Sequence, residues 1–591
     1  MKQFFGAFFG SLIGLLIATV LGVFLLVAML KSGLGSVMNS RGTETTVLTG
    51  KTILRLDLEG EIIERERENP FSQLADITPM VDGNQLGLNT LIRKIKGAAK
   101  DDKITGIYLR FKDLRGGIAS LAELRKALLD FRASGKYVYS YSENFTQGQY
   151  YLASVSDRVF LNPEGSIAWK GLAMNMLFFR NAFDKLNIEM QIFRHGKFKS
   201  AVEPFILEKM SEANRLQSEV FLNSIWHSLL KDIAASRKVP VEELNAMANN
   251  LTIRFAEDAL GTLIDQVAYE DEVLDILRQK SEVTDSKKSI PFVKVNKYHA
   301  KPGAGVGAGR IAVVYANGPI TSGDGRDEEA GSDRICKALK EARENDKIKA
   351  IVLRVNSPGG SALASDVIWR EMLLTKKDKP VVVSMGDVAA SGGYYISCAA
   401  DRIFAQPNTI TGSIGVFGVL PNFGKLLEHK IGITTDTVNT NKYSDIASGL
   451  RAVTPAERDF VQASVERVYE VFTSKVAQGR NISQASVDSM GQGRVWSGSD
   501  ALKLNLVDEL GGLSEAVAYA AEKAGLKDYR ITELPKLKGP FDGIFNTAEK
   551  EVEQRVLSGT LGAAYPYFKQ LQDMVKVSGV QARLPFTFLI E

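Results

Sequence analysis

The sequence predicts an α/β protein built from two tandem copies of one domain behind an N-terminal transmembrane helix. Three observations carry that prediction: an internal repeat, an alternation of strands and helices within each copy, and a long uncharged run near Met1. The repeat is the firmest. Asp102-Lys103-Ile104 recurs as Asp346-Lys347-Ile348, an offset of 244. Without a gap, the same offset carries Leu109-Arg110 onto Leu353-Arg354, Gly148 onto Gly392, Tyr150-Tyr151 onto Tyr394-Tyr395 and Asp157-Arg158 onto Asp401-Arg402. Further out, Leu263-Ile264-Asp265 answers Leu506-Val507-Asp508, and Leu58-Glu59-Gly60 answers Ala316-Asn317-Gly318 after an insertion near residues 65–85. Coincidence does not hold one register over so many residues.

Within each copy, β-rich runs at Ile104–Phe111 and Ile348–Val355 precede apolar helical spacing at Leu121–Phe131 and Ala364–Leu374. Strands at Tyr137–Ser142 and Val381–Met385 follow, each leading into an Ala/Gly/Tyr helix. Such alternation argues for largely parallel sheets. The expected organisation is a membrane anchor over 1–31, one domain over 47–295, a second over 305–535 and a tail over 536–591. The tail reads as mixed helix with an apolar end at Leu584–Ile590. The glycine-rich stretch Gly303–Gly309 precedes a strand instead of following one, so it reads as a linker and not as a nucleotide-binding loop.

Phe4–Leu30 contains no charge over 27 residues. As a helix it would span roughly 40 Å, more than the ~30 Å hydrocarbon core requires. A cleaved signal peptide is the alternative, but its apolar region is normally shorter and no small-x-small cleavage site precedes Lys31. An uncleaved, single-pass signal anchor is the reading. Lys2 faces Lys31, Arg41 and Lys51 across the span, so charge does not fix the orientation. The composition of the whole chain is that of a globular protein, 45% hydrophobic and 24% charged, with a net charge of +4. Its 73 basic residues are interspersed with 69 acidic ones, which offers no nucleic-acid surface. Two cysteines make no disulfide framework, and no metal-ligand spacing such as His-Glu-x-x-His occurs, so neither metal nor cofactor is expected.

The copies diverge where chemistry would sit. The second has Ser391 at a strand-to-helix turn among Ala389, Ala390, Gly392 and Gly393. The turn would expose its hydroxyl and leave room for a substrate backbone. Simple helix capping is the competing reading. Upstream, Asn356–Ser361 (Asn-Ser-Pro-Gly-Gly-Ser) ends another strand with backbone N–H groups able to stabilise an oxyanion, or forms a plain Pro-Gly turn. In the first copy Gln147 replaces Ser391, and Asp113-Leu114 replaces Ser357-Pro358.

A serine nucleophile needs a base. Of the four histidines, His227 falls in a helical run, His299 in the linker region and His429 at a helix end; only His195 lies in a suggestive segment, beside Lys197 and Lys199. Lysine serves as base when burial keeps it neutral. Lys199 stands among apolar neighbours, and its counterpart in the second copy is Tyr443. Each copy thus keeps the half of a Ser–Lys pair that the other has lost. Ser413, opposite Trp169 of the first copy, could orient the lysine amine or merely form a turn.

These segments resemble the long form of the signal peptide peptidase A family, through Lys-Ser-Ala-Val-Glu-Pro-Phe (199–205), the Asn356–Ser361 turn, Ala-Ala-Ser-Gly-Gly-Tyr-Tyr (389–395) and Thr-Gly-Ser-Ile-Gly (411–415). The resemblance implies Clp/crotonase-like domains, with Ser391 as nucleophile, Lys199 as general base, Ser413 as the residue that holds the lysine, and N–H groups near Gly359, Gly360 and Gly392 as the oxyanion hole. Clp proteases carry a histidine about 25 residues beyond the serine; here Thr411–Val416 stands there instead. The resemblance further implies a membrane-anchored homotetramer, on the periplasmic side of the inner membrane, that degrades hydrophobic signal-peptide remnants. The alternatives are a non-catalytic Clp-like scaffold on the membrane and a crotonase-type acyl-CoA enzyme.

Overall fold

The computed structural model describes residues 48, 50–66, 85–283, 285, 288–299, 309–326, 328–537 and 580–584. The Phe4–Leu30 run, most of the 303–309 stretch and most of the 536–591 tail lie outside them. Among the described residues no helix is long and apolar enough to cross a membrane.

Each copy forms a parallel sheet from the runs that the repeat aligned. In the first, Gln85–Gly87, Thr52–Ile63, Ile104–Arg115, Tyr137–Phe145, Arg158–Ile167 and Gln266–Val267 lie side by side, and Phe292–Lys294 also pairs with Thr52–Ile63. In the second, Gly309–Asn317, Ile348–Ser357, Val381–Ala390 and Arg402–Ala405 form the parallel centre, with Tyr529–Leu534 on one edge. Strands starting at Ile104, Tyr137 and Arg158 recur at Ile348, Val381 and Arg402, each 244 residues on. Helices Ile118–Ala133 and Ala362–Asp378 supply the crossovers that parallel strands require. The central strands read as nearly unbroken buried runs, such as Val381–Met385, because apolar residues meet both of their faces.

A third, six-stranded sheet joins the copies. Its order is Ala330–Gly331, Ile320–Thr321, Gly359–Ser361, Val580–Arg583, Val416–Asn422 and Glu189–His195. Glu189–His195 belongs to the first copy, yet it pairs antiparallel with Val416–Asn422 of the second, from Val416↔His195 to Asn422↔Glu189. The tail, expected to be helical, contributes the strand Val580–Arg583. A four-residue strand whose partners are hundreds of positions away leaves no periodicity of its own to read.

The junction is also ionic. Arg354 of the second copy is fully buried and forks onto Glu64 of the first, at 2.9 and 2.8 Å, while Nη2 meets Glu123 at 2.7 Å. Burial pushes the Glu123 carboxyl up from its ordinary range, and neighbouring Glu64 adds to that, against the pull of Arg354. Asp387 accepts from Ser120 across the same junction, and Ala390, Ile410 and Val495 pack into the first copy's core.

Candidate active site

Ser391 sits where the Val381–Ala390 strand turns into the short helix Gly392–Ser397. Its φ of 55° and ψ of −115° lie in a region that a side chain normally avoids, and such backbone costs on the order of 1–3 kcal/mol. The Ser391 N–H donates to Gly412 O at 2.8 Å and fixes the turn. Its hydroxyl makes no capping bond to the helix, which removes the capping explanation. It accepts instead from Lys199 Nζ at 3.0 Å.

Lys199 comes from the other copy. The Glu189–His195 strand carries the chain across, Gly196 turns it with a φ of 99°, and the Phe198 N–H donates to Gln492 O at 3.0 Å. Gln217 Nε2 then holds Phe198 O and Ser200 Oγ at 3.1 and 3.0 Å. Glu203, buried, accepts from Ser211 Oγ at 2.6 Å and Asn214 Nδ2 at 2.9 Å and so clamps the next turn. Gly493 lets the lysine in: a Cβ there would lie 2.6 Å from Lys199 Cα. The side chain is 1% exposed, and burial alone lowers its pKa to about 7. Nζ also donates to Ser413 Oγ at 3.1 Å. A neutral amine between two hydroxyls is an arrangement that can accept a proton.

The remaining expected residues surround this pair. Gly359 has a φ of 92°, open only to glycine at low cost; a Cβ there would lie 2.6 Å from the Gly392 N atom and 2.1 Å from Ala582 O. Gly392 is the first residue of its helix, so its N–H has no intrahelical acceptor. Gly360 faces Ala582 across the antiparallel ladder. The Leu584 N–H donates to Pro358 O at 2.8 Å, and antiparallel ladders alternate, so Gly360 and Ala582 form a hydrogen-bonded pair. Gly359, Gly360 and Gly392 therefore all lie beside the Ala582 carbonyl, though the Gly359 N–H donates to Ser357 Oγ at 3.2 Å and so points elsewhere. His195 does not join them. It points to Glu466 and stacks on Tyr469 with ring centroids 3.7 Å apart.

In the first copy the equivalent space is filled. Gln147 Nε2 donates to Gly171 O at 2.9 Å, and its Oε1 accepts from the Gly171 N–H at 2.8 Å. Trp169, where the second copy has Ser413, is buried and donates to Leu244 O. Tyr443, the counterpart of Lys199, lies 39% exposed on the surface.

The model of peptidase family S49 matches residues 130–284 and again 374–527, starting points 244 apart, and that of Clp protease matches 314–411. The chain belongs to peptidase family S49. It is a serine peptidase with tandem S49 domains of Clp-like fold. It is 37% identical to "Protease 4" of Salmonella typhi over 84% of this chain and 82% of that protein. It is 32% identical to "Serine protease SPPA, chloroplastic" of Arabidopsis thaliana, over 87% of this chain and 76% of that one. S49 membership does not itself say which residues react, and the geometry supplies the candidates. Sequence reading did not find Gln217, Glu203 or Gly493. Glu203 alone left a signal, as an acid inside the apolar run Ala201–Phe205.

Proposed function

We propose that the protein hydrolyses peptides through a Ser391–Lys199 dyad assembled from both copies. The observation that carries this reading is the 3.0 Å contact between Lys199 Nζ and Ser391 Oγ in a fully buried setting. Lys199 takes the hydroxyl proton as Ser391 attacks the substrate carbonyl, and the Gly360 and Gly392 N–H groups hold the oxyanion. The lysine then protonates the leaving amine. Water, deprotonated by the same neutral lysine, hydrolyses the ester. Ser413 keeps the amine aimed at Ser391. Ser391→Ala and Lys199→Ala should each abolish hydrolysis of a hydrophobic peptide ester while the fold, followed by circular dichroism, is kept. Activity surviving in either variant sinks the dyad, and an inactive wild type would favour the scaffold reading.

The uncharged Phe4–Leu30 run supports a single-pass anchor, and the family resemblance supports a periplasmic site acting on signal-peptide remnants. The repeat itself supports a homo-oligomer. Within the chain, Glu189–His195 pairs with Val416–Asn422. The matching segments, Ile433–Asn439 and Leu172–Phe178, form no strand, and Ile433, Val438 and Leu177 are exposed. A neighbouring copy would repeat the internal pairing there, with Ala173 opposite Val438. An Ala173→Cys/Val438→Cys variant should then form interchain disulfides on oxidation. A variant that stays monomeric on a non-reducing gel contradicts the pairing.

A further inference from the structure

One short turn of the second copy, Gln492-Gly493-Arg494, grips both the segment that carries Lys199 and the serine that aims it. The Gln492 carbonyl accepts the Phe198 N–H at 3.0 Å, one residue before Lys199. The Gly493 N–H donates to Ile414 O at 2.7 Å, and the Arg494 carbonyl accepts the Ser413 N–H at 2.7 Å. Lys199 and Ser413 therefore hang from the same three residues. The turn is not relaxed by itself. Gln492 has a φ of 51°, and a left-handed residue other than glycine persists only where its surroundings hold it.

Tyr469 supplies that hold. It stands on the helix Pro455–Arg480, and its buried hydroxyl accepts the Gln492 N–H at 3.2 Å while donating to Asp488 Oδ1 at 2.6 Å. Burial, with Asp488 beside it, raises the phenol pKa well above its ordinary range and keeps it a donor. The His195 ring stacks on this phenol, with centroids 3.7 Å and planes 21° apart. His195 ends the strand Glu189–His195 that brings Lys199 across from the first copy, and its Nδ1 meets Glu466 on the same helix as Tyr469. Just beyond, Gly196 runs so close to the turn that a Cβ would collide with the Gln492 carbonyl. The contacts form a closed circuit: His195 to Tyr469, Tyr469 to Gln492, Gln492 to Phe198, and back along the chain to His195.

We propose that His195 and Tyr469 are positioning residues for the lysine base, a clasp that keeps the Lys199 amine dry and aimed at Ser391. This rests on the serine–lysine reading above. Neither residue touches the reacting atoms. The clasp acts through burial, which alone lowers the Lys199 pKa to about 7. If segment 196–199 lifts from Gln492, water reaches the amine and returns its pKa towards the ordinary 10.5. A loosened lysine is then both misaimed and protonated at neutral pH. The working part of His195 is its stacked ring and not its ionisation.

The test follows hydrolysis of a hydrophobic peptide ester and fluorophosphonate labelling of Ser391, across the range from about pH 5.5 to about pH 10, in the full-length protein and four variants. Tyr469→Phe deletes the hydroxyl, and His195→Ala deletes the stack. Each should lower kcat at pH 7 about tenfold or more and leave KM within about twofold. Each should also move the midpoint of labelling up from about 7 by about one pH unit or more. His195→Phe keeps a ring on Tyr469 and cannot titrate, so its kcat should stay within about threefold of wild type and its midpoint near 7. Tyr151→Phe deletes a comparable buried hydroxyl, bonded to Asp232 at 2.6 Å in the first copy, and should leave the midpoint unmoved. Tyr469→Phe is nearly isosteric, so the test stands even where His195→Ala unfolds. Unchanged kcat and midpoint in Tyr469→Phe or in a folded His195→Ala overturns the clasp. So does a kcat that falls with the midpoint fixed, a change confined to KM, or a His195→Phe no better than His195→Ala. An equal shift in Tyr151→Phe also overturns it, because general loosening then explains the change. A wild type unlabelled at Ser391 overturns the serine–lysine reading and this one together.

Discussion

Replacing Lys199 by methionine should destroy activity and stabilise the fold. Methionine has nearly the same length, is apolar, and fits a site where the lysine is 1% exposed. Burial lowers the lysine pKa from 10.5 to about 7. Between those values the unfolded chain carries a proton that the native protein lacks, so acidification favours unfolding across that window. At about 1.36 kcal/mol per pKa unit, the full penalty is about 5 kcal/mol at pH 7 and below. It fades as pH rises towards 10.5. The methionine forgoes bonds to Ser391 and Ser413, together worth about 2 kcal/mol, which leaves a gain of about 3 kcal/mol at neutral pH. Urea unfolding of both proteins at pH 7 and at pH 9.5 measures it, following the transition of the second copy because a two-copy chain need not unfold in one step. The gain should disappear at pH 9.5, where only about 1 kcal/mol of penalty remains to be relieved. A variant less stable than wild type at pH 7, or a difference independent of pH, would refute the view that the lysine is held neutral by burial at the expense of stability.

Other changes follow from the same contacts. Ser413→Ala removes the 3.1 Å bond that aims the amine, so kcat should fall about 10- to 100-fold, a barrier rise of about 1–3 kcal/mol, with KM within about twofold. A fall in substrate affinity at constant kcat would mean that Ser413 binds substrate instead. Arg354→Leu strands Glu64 and Glu123 in the junction, and stability should drop by about 3–5 kcal/mol at pH 7. The loss should shrink at pH 5, because a buried carboxyl with a raised pKa takes up a proton more readily in the folded protein than in the unfolded chain. A loss under 1 kcal/mol, or one that grows on acidification, contradicts that account.

The parts of this architecture that sequence exposes are those where the two copies can be compared. Strands and helices were legible because each was written twice: Ile104–Phe111 and Val381–Met385 fall inside the observed Ile104–Arg115 and Val381–Ala390. The same comparison singled out Ser391, Lys199 and Ser413, since Gln147, Tyr443 and Trp169 are chemically unlike them and two of the three fill the vestigial site. What escaped has no counterpart to compare. The exchange of Glu189–His195 into the second copy's sheet depends on a partner over 220 residues away. Glu64 stands at the edge of the first copy's insertion, out of register with anything. The strand in the tail is too short for a period, and its reason lies in the groove it enters. Gly493 combines a φ of 83° with the close passage of Lys199, a contact between copies that neither local sequence announces.

The central claim, that Ser391 is activated by a lysine from the other copy, is tested most directly by covalent trapping. A fluorophosphonate reacts with an activated serine, and peptide mapping locates the adduct. The rate of labelling at Ser391 should rise with pH through about 7, as Lys199 loses its proton, and level off above about pH 8. In Lys199→Ala it should be slower by at least about a thousandfold. Labelling at a different residue, or an undiminished rate at Ser391 in Lys199→Ala, would contradict the account.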